Sequence, residues 1–441
     1  MSFHKNLFIF AHNAFDNRFT KLYQQLVHNL SKDYQELIDG QNKKLRELIS
    51  FSYDNVPYYH QIFTELKIHP EEIHSRKELE YLPILTKQKI RDNFKDIVSK
   101  NLSSQKYYEN RTSGSTGDPL RYYYSKYDRL IGGCLLYRGW SFGGYELGDK
   151  MAFLAGSSLR INYKNKFSKI LHETTRNLKK LSSFDMDKKS LKEYRDTLNE
   201  FKPKFIRGYV SSIFAYAQWL EENQLTIYSP VAVFTTAEKL LPHMRQKISE
   251  VFNCQVYVNY GLNDGGISAY ELPDHSGLRI DTERSILEVI DDDGKQIYEG
   301  TGRIIATGLH NTAIPFIRYD TGDLGTISVK SDGTHVLTEI KGRQDEMLQT
   351  PEGKIVHGVF FGYVFRAMNG INKFQVIQED LHHLTIKLVT EDNFDMSQLN
   401  EILKLVRNRS REWQIHFDFV KEIDTTEAGK YRYTLNRLKE S

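Results

Sequence analysis

The chain has 441 residues, 39% apolar and 27% charged, and its 60 basic and 57 acidic side chains give a formal net charge of +3. This length predicts two domains with ample buried volume, and the dispersed charge gives no reason to expect a nucleic-acid partner. Two distant cysteines, Cys134 and Cys254, speak against a disulfide framework. Because no apolar run approaches the roughly 20 residues of a membrane helix, we expect a cytoplasmic protein without membrane insertion.

The N-terminal part has helical patterns. Apolar residues recur at helical spacing over residues 19–51, and Gly40 is predicted to separate two helices there. Another helix is expected after Thr86, a suitable N-cap residue. These helices are interpreted as scaffold.

Between Lys188 and Tyr260 helix and strand patterns alternate. Helices are predicted over residues 190–201, 211–223 and 241–252, with Ser211 as the cap of the second and Pro242 in the first turn of the third. Strands are predicted over residues 204–209, 231–236 and 255–261. Such alternation predicts a parallel sheet. Ligands bind beside the carboxyl ends of such strands, which here are Gly208 with Tyr209, residues 235–238, and Tyr260 with Gly261.

Strand and turn patterns dominate from Leu278 to about Thr338, which predicts an antiparallel subdomain. Mixed patterns return after Arg343 and continue to the last residue, a length sufficient for a small domain. The predicted fold class is α/β, with a large N-terminal domain of parallel α/β sheets and an antiparallel β subdomain over residues 1–342. A small, mobile α+β domain follows over residues 343–441, with a hinge near Asp345.

The segment "RTSGSTGDPL", residues 111–120, concentrates small and hydroxyl side chains. Glycine lets backbone approach a ligand closely, and hydroxyl and N–H groups bind phosphate. The segment does not match the Walker pattern, because Asp118 and Pro119 follow Gly117. Four later segments complete an ordered set: "YGLNDGG" from Tyr260, "RYDTGDLG" from Arg318, "KGRQDEM" from Lys341 and "EAGKYRY" from Glu427. Each segment alone is only a weak indication of function. The order of the segments along the chain is more informative.

With these segments the chain resembles the adenylate-forming superfamily, specifically its phenylacetate-CoA ligase branch and the CapK-like proteins of capsular polysaccharide loci. The resemblance also rests on "NVPYYHQIF", "LPILTKQKIRDNF", "FTTAEKL" and "GRQDEMLQTPEGKIV", and so covers nearly the whole chain. It implies a large domain and a small domain that reorients between two half-reactions. The first converts a carboxylate and ATP to an acyl-adenylate and pyrophosphate.

The resemblance also implies nucleotide-binding and catalytic roles. The phosphate loop would be formed by Ser113, Gly114, Ser115, Thr116 and Gly117. Asp323 would accept hydrogen bonds from both ribose hydroxyls, Arg343 would lie near ribose and phosphate, and Tyr260 and Gly261 would flank adenine and the acyl group. Asp345 would serve as the hinge. Lys430 would be the catalytic cation that the small domain brings to the α-phosphate and the attacking carboxylate.

Magnesium binding departs from the family pattern. The fourth place after the tyrosine of the "YG" segment usually carries glutamate, and here it is Asp264, which reaches one methylene less toward Mg²⁺. A water bridge is the alternative to direct contact. Glu238, at a predicted strand end, is a second acidic candidate. Leu120 stands where the wider superfamily commonly has lysine.

The resemblance also implies an acyl pocket between the helix that follows the phosphate loop and the strand ends. Its candidate lining residues are Tyr137, Trp140, Gly208, Thr236 and Ala237, although aromatic residues on a helix are often core instead. Arg160 and Arg207 either recognise a polar substrate or pair with carboxylates structurally.

Three functions compete. The preferred prediction is an AMP-forming ligase that uses ATP and Mg²⁺ and passes the acyl group to CoA. The first alternative passes the acyl group to an amine or hydroxyl, such as an amino sugar in capsule or O-antigen biosynthesis. The second alternative is a catalytically silent nucleotide-binding protein. The sequence does not name the acid or the acceptor, and it leaves a homodimer open.

Overall fold

The computed structural model describes residues 3–112, 120–155, 166–182, 186, 188–343, 347–353, 355–357, 359–366, 368–391, 394–424 and 432–438. These residues form two compact units, and the chain passes from the first to the second between Lys341 and Gly342. No helix in the described ranges is both long and apolar enough to cross a bilayer.

The helices are distributed along both units. The α-helices are α1 Phe3–Phe15, α2 Phe19–His28, α3 Tyr34–Asn55, α4 Pro57–Leu66, α5 Lys87–Asp92, α6 Phe94–Ile97, α7 Lys126–Ser141, α8 Lys166–Thr175, α9 Lys188–Phe201, α10 Val210–Glu222, α11 Pro242–Phe252, α12 Val359–Arg366 and α13 Gln398–Arg407.

The strands of the first unit are β1 Tyr107–Arg111, β2 Arg121–Ser125, β3 Met151–Ala155, β4 Leu178–Ser182, β5 Phe205–Tyr209, β6 Ala232–Thr236, β7 Gln255–Leu262, β8 Ile267–Glu271, β9 Leu278–Ile280, β10 Ser285–Ile290, β11 Gln296–Ile297, β12 Gly300–Gly308, β13 Tyr319–Val329 and β14 His335–Arg343, the last of which runs into the second unit. Those of the second unit are β15 Met347–Gln349, β16 Ile355–His357, β17 Ile371–Gln378, β18 His383–Thr390, β19 Gln414–Phe419 and β20 Thr434–Asn436.

A twelve-stranded sheet organises the first unit, with the strand order β11-β10-β12-β13-β14-β9-β8-β7-β6-β5-β3-β4. From β4 to β7 the neighbouring strands are parallel. From β7 onward the pairs β7–β8, β8–β9, β14–β9, β12–β13 and β10–β12 are antiparallel. The predicted α/β class, with a parallel part followed by an antiparallel part, is confirmed.

Helices cover both faces of the parallel strands. One face packs on α1, α2 and α7 through a cluster that includes Phe8, Leu135, Trp140 and Phe234. The other face packs on α9, α10 and α11 through a cluster that includes Ile213. Burial on both faces explains why these strands are continuous apolar runs rather than alternating ones.

The second unit is a small α+β structure. Its four-stranded sheet has the order β19-β18-β17-β20, with a separate β15–β16 pair. Helices α12 and α13 contribute to its core, which includes Phe361, Ile402, Val406 and Trp413. The predicted α+β character of this part is confirmed.

Two local predictions were wrong. Gly40 lies inside α3 rather than between two helices, because the break occurs earlier, where Asp33 caps α3 by accepting a hydrogen bond from the Glu36 N–H. A glycine inside a helix costs only about 1 kcal/mol, so a long packed helix tolerates it. Ser211 is not the cap of α10, since that helix begins at Val210 with Tyr209 as its N-cap.

Gly208 on β5 is required by the close approach of β3. A Cβ atom added there would lie 2.1 Å from the carbonyl oxygen of Leu154 and 3.1 Å from the side chain of Ile213. We therefore expect Gly208→Ala to lower the free energy of unfolding by about 1–3 kcal/mol, because backbone cannot yield as a side-chain tip does. Chemical denaturation measures this.

Gly40→Ala is the matched control for Gly208→Ala. It lies in a helix with nothing within 4 Å of an added Cβ, so it should stabilise the chain by roughly 0.5–1 kcal/mol. Equal effects of the two substitutions would contradict the packing explanation for Gly208.

Candidate functional site

Two predicted nucleotide-binding residues, Tyr260 and Asp323, are in contact. Tyr260 lies near the end of β7, Asp323 lies on β13, and the Tyr260 hydroxyl donates a hydrogen bond of 2.8 Å to Asp323 Oδ2. Asp323 is buried, and its own N–H donates to the Thr321 hydroxyl at 3.1 Å. The Tyr260 hydroxyl therefore holds one oxygen of the Asp323 carboxylate in place.

A second carboxylate is held in the same way. Asp264 lies in the turn between β7 and β8, and its Oδ2 accepts a hydrogen bond of 2.7 Å from the Tyr319 hydroxyl. The turn packs closely on the antiparallel strands, since a Cβ on Gly265 would lie 3.0 Å from Ala306 and 3.3 Å from the Tyr319 ring. Two aspartates are thus each oriented by a tyrosine from the other strand region.

The donor set around Asp264 does not form a protein cage for a metal. Within the described ranges no group of three His, Cys, Asp or Glu side chains could hold a metal ion. Mg²⁺ usually keeps several waters and takes one or two carboxylates together with substrate phosphates. A single carboxylate at Asp264 fits that mode of binding and does not fit a resident structural metal.

Glu238 stabilises the first turn of α10. Its carboxylate accepts hydrogen bonds from the Ser211 N–H at 2.7 Å and from the Ser211 hydroxyl at 3.0 Å. It therefore satisfies the first turn of α10, where free N–H groups and the helix dipole favour an anion. The backbone just before it is strained, since Ala237 has a φ of 69°, a conformation that L residues other than Asn and Asp rarely adopt.

Several predicted site residues lie outside the described residues. These are Ser113, Gly114, Ser115, Thr116, Gly117, Asp345 and Lys430, and also Arg160. Arg343 ends β14, but its side chain is not among the described ones. The roles given to these residues remain predictions.

An aromatic cavity of about 190 Å³ lies against the parallel strands. Tyr137 and Trp140 line it from α7, together with Phe153 on β3 and Arg207 on β5. Trp140 also stacks on Phe234 of β6 with ring centroids 5.8 Å apart. Both aromatic candidates for the acyl pocket therefore border a real cavity as well as contributing to packing.

The other three acyl-pocket candidates do not line this cavity. Thr236 lies two residues after Phe234 and so on the same face of the sheet as Trp140. A side chain at Gly208 would point to the opposite face of the sheet, toward Ile213 of α10. Ala237 follows β6 at its carboxyl end.

His12 of α1 buttresses the cavity wall. Its Nε2 lies 3.0 Å from the Tyr137 hydroxyl, its Nδ1 lies 2.8 Å from the Phe8 carbonyl oxygen, and its ring stacks on Phe8. Burial lowers the pKa of His12 to about 4. A histidine held neutral by burial stabilises the fold fully above its unfolded pKa of about 6.5, and this contribution is lost as the pH falls toward its folded value.

We therefore expect acidification from pH 7 to pH 5 to lower the free energy of unfolding by about 1–2 kcal/mol through His12. His12→Phe keeps a ring in place but cannot take up a proton, so its stability should fall less over the same interval. Denaturant titrations at the two pH values measure the difference. Parallel pH profiles for the two proteins would contradict the role of His12.

The sequence reasoning missed the residues that orient the two aspartates. Tyr319 stands directly after Arg318 in "RYDTGDLG", but its partner Asp264 is 55 positions away. Arg318 has a φ of 53° and forms a buried ion pair of 3.0 Å with Glu288 of β10. This ion pair holds the chain where it enters β13. No local sequence pattern predicts the pair.

Comparisons with known proteins agree with this architecture. Residues 348–437 match the CapK C-terminal domain family. Protein CapK of Staphylococcus aureus is 29% identical over 371 residues, which cover 81% of this chain and 80% of that protein. Phenylacetate-coenzyme A ligase of Pseudomonas putida is 24% identical over 312 residues, which cover 68% of this chain and 69% of that enzyme.

A solved structure shares the fold. 2-Hydroxyisobutyryl-CoA ligase in the postadenylation state, in complex with R3-HIB-AMP, superposes with a TM-score of 0.72 and 18% sequence identity, covering 92% of this chain and 90% of that chain. At this identity the likeness concerns the fold.

Proposed function

We propose, on the premise that this chain is a relative of CapK and of the phenylacetate-coenzyme A ligases within the adenylate-forming superfamily, that it is an AMP-forming ligase. It activates a carboxylic acid with ATP as an acyl-adenylate and then transfers the acyl group to CoA. The observation that carries the proposal is the pair of tyrosine-held aspartates, Asp323 on β13 and Asp264 in the turn between β7 and β8.

The carboxylate of Asp323 supports the proposed binding of a nucleotide. A carboxylate, with two acceptor oxygens, is a suitable partner for two neighbouring ribose hydroxyls, and the Tyr260 hydroxyl keeps one of the Asp323 oxygens in place. The loop from Ser113 to Gly117 would supply N–H and hydroxyl donors to the phosphates.

The proposed chemistry is a displacement in each half-reaction. In the first, a carboxylate oxygen of the acid bonds to the α-phosphorus of ATP, and the bond from that phosphorus to pyrophosphate breaks. In the second, the CoA sulfur, after losing its proton, bonds to the acyl carbon and AMP leaves. Both steps bring anions together, so a positioned cation such as Lys430 offsets their repulsion in the first.

Mg²⁺ would neutralise phosphate charge in the first half-reaction. Asp264 is the residue proposed to hold it, directly or through a water, with phosphate oxygens as the other ligands. Glu238 is less suited to this role, because both of its oxygens accept hydrogen bonds from Ser211.

Acyl binding is assigned to the cavity beside Trp140 and Tyr137. The unit that begins at Gly342 is proposed to be the mobile domain, with Asp345 at its hinge. A few residues near a domain boundary absorb the rotation of such movements.

The decisive experiment is acid-dependent exchange of labelled pyrophosphate into ATP over a panel of aromatic, aliphatic, dicarboxylic and amino acids. Exchange with at least one acid is expected. If ATP binds and no acid supports exchange, the protein is a silent nucleotide-binding protein instead.

The acceptor is tested next with the responsive acid. CoA, amino sugars and hydroxylamine are added separately, and mass spectrometry identifies the acyl product. A thioester is expected. An amide of an amino sugar with no thioester would replace CoA by an amine acceptor and leave the adenylation step intact.

A further inference from the structure

Four side chains form a row across the sheet where its parallel part ends. Tyr209 and Thr236 are the last residues of β5 and β6. Tyr209 is in register with Thr236, Thr236 with Asn259 of β7, and Asn259 with Tyr270 of β8. Beyond Asn259, β7 continues to Leu262 paired with β8 alone. We call these four residues the strand-end row; they share one face of the sheet, because residues in register point the same way.

Helix α7 covers this face. Phe234, two residues before Thr236, stacks on Trp140 of α7, and alternate residues of a strand share a face. Farther along the row, Gly139 of α7 approaches β8 so closely that an added Cβ would lie 2.1 Å from the Tyr270 ring. Tyr209 and Tyr270, the two ends of the row, are buried. The row thus has a short polar centre between two aromatic ends.

The row adjoins the proposed nucleotide site. Asn259 directly precedes Tyr260, whose hydroxyl binds Asp323, and successive residues of a strand are only about 3.3 Å apart and point to opposite faces. Gly261, the next residue, is exposed and has no side chain. A ligand whose nucleotide part reaches Asp323 can therefore present its acyl part to the α7 face at this edge, where such sheets bind ligands.

The amide of Asn259 is unusual among the buried polar groups here. The residue is 6% exposed, and its Nδ2 is buried without a hydrogen-bond partner. Nearby polar side chains are paired: the Thr235 hydroxyl donates to the Tyr257 carbonyl oxygen at 3.2 Å, and Glu271 accepts from the Val258 N–H at 2.7 Å. Since buried polar groups in folded proteins are nearly always hydrogen-bonded, the exception calls for an explanation.

Thr236 offers a second polar group beside this amide. It is half-buried, and its hydroxyl forms no hydrogen bond within the described ranges. Neighbouring strands lie about 4.8 Å apart, so one small group can contact both side chains. An amide and a hydroxyl each provide a donor and an acceptor, which suits a ligand group that both donates and accepts. No residue of the row carries a charge that would favour an ionised group.

We infer that the acid substrate carries a hydroxyl group on its acyl part, and that this hydroxyl binds between the Asn259 amide and the Thr236 hydroxyl. The inference rests on the proposed function and makes the substrate a hydroxy acid. Asn259 is then a specificity-determining residue. A site built to hydrogen-bond a substrate hydroxyl rejects the analogue that lacks it, because the buried protein group is left unpaired.

The test compares acids in which a methyl group replaces the hydroxyl: 4-hydroxyphenylacetate with 4-methylphenylacetate, 3-hydroxybutyrate with 3-methylbutyrate, and lactate with isobutyrate. The three pairs place the hydroxyl at different distances from the carboxylate. In pyrophosphate exchange, kcat/KM for the hydroxy member of at least one pair should be higher by about tenfold or more.

Two variants assign the preference to the row. Asn259→Leu keeps the branching of the side chain and removes its hydrogen-bonding groups, so it should abolish or reverse the preference. Thr236→Val should reduce it. Asn223→Leu is the matched control, because its amide donates to the Trp219 carbonyl oxygen at the other end of α10, and it should retain the preference.

Two Tm measurements test the row without catalysis. A ligand that binds only the folded state raises Tm, so the preferred hydroxy acid, added without ATP, should raise Tm in the native protein more than its methyl partner does. This difference should vanish in Asn259→Leu. Without ligand, Asn259→Leu should have an equal or higher Tm, because it replaces a buried amide that has no partner.

The outcomes separate the two proposals. A hydroxyl-dependent and Asn259-dependent shift of Tm without exchange would keep the inference and overturn the ligase. Equal exchange with both members of every pair would keep the ligase and overturn the inference. A hydroxyl preference that survives in Asn259→Leu, a loss of Tm in the ligand-free variant, or the absence of both shift and preference would each overturn the inference.

Discussion

Lys430→Ala is expected to slow acyl-adenylate formation by a factor on the order of 100 to 1,000, the usual cost of losing one preorganised charge-stabilising group. The resemblance of "EAGKYRY" places this lysine at the α-phosphate only in the adenylating arrangement. The affinity for ATP should be nearly unchanged, because the proposed ribose contact, Asp323, belongs to the first unit. Single-turnover measurement of acyl-adenylate measures the first half-reaction, and ATP titration measures the affinity.

The second half-reaction gives the contrast for Lys430. Supplied with preformed acyl-adenylate, the Lys430→Ala protein should transfer the acyl group at close to the native rate, because the proposed domain movement would by then present another face of the small domain. Lys421→Ala, an exposed lysine of the same unit that follows β19, is the matched control and should leave both rates unchanged. Equal losses in both half-reactions would show that Lys430 is wrongly assigned.

Asp323→Ala should weaken ATP binding by about 1–3 kcal/mol, the range for a hydrogen bond to a charged group. This corresponds to a loss of roughly 5- to 150-fold in affinity, because each 1.4 kcal/mol is a factor of ten. The substitution also leaves the Tyr260 hydroxyl without its acceptor. Calorimetric titration with ATP measures the affinity, and thermal unfolding reports whether the variant remains folded.

Two variants sharpen the interpretation of Asp323. Tyr260→Phe removes the hydroxyl that orients the carboxylate and keeps the ring, so a smaller loss is expected. Asp320→Asn changes another aspartate of the same strand, one that pairs with Arg303 at 3.0 Å, and should leave ATP affinity unaltered. If Asp323→Ala binds ATP as the native protein does, Asp323 is not part of the nucleotide site.

Much of the architecture could be predicted from local pattern. Short apolar runs alternating with amphipathic segments between Lys188 and Tyr260 became β5, α10, β6, α11 and β7, because periodicity and turn residues act over a few positions. The order of the quoted sequence segments also supports the resemblance to adenylate-forming enzymes, on which the ligase proposal depends. Local signals were misleading at Gly40, because a long helix with one face packed on the core continues through an exposed glycine.

The sequence by itself thus determined the α/β class, the order of strands and helices along the chain and the candidate aspartates. Only the tertiary structure decided which groups face one another. Tyr260 meets Asp323 across 63 positions and Tyr319 meets Asp264 across 55. The two readings of Arg207 were equivalent in the sequence. The structure places the Arg207 guanidinium over the rings of Trp140 and Phe153, contacts that depend on distance in space and not along the chain.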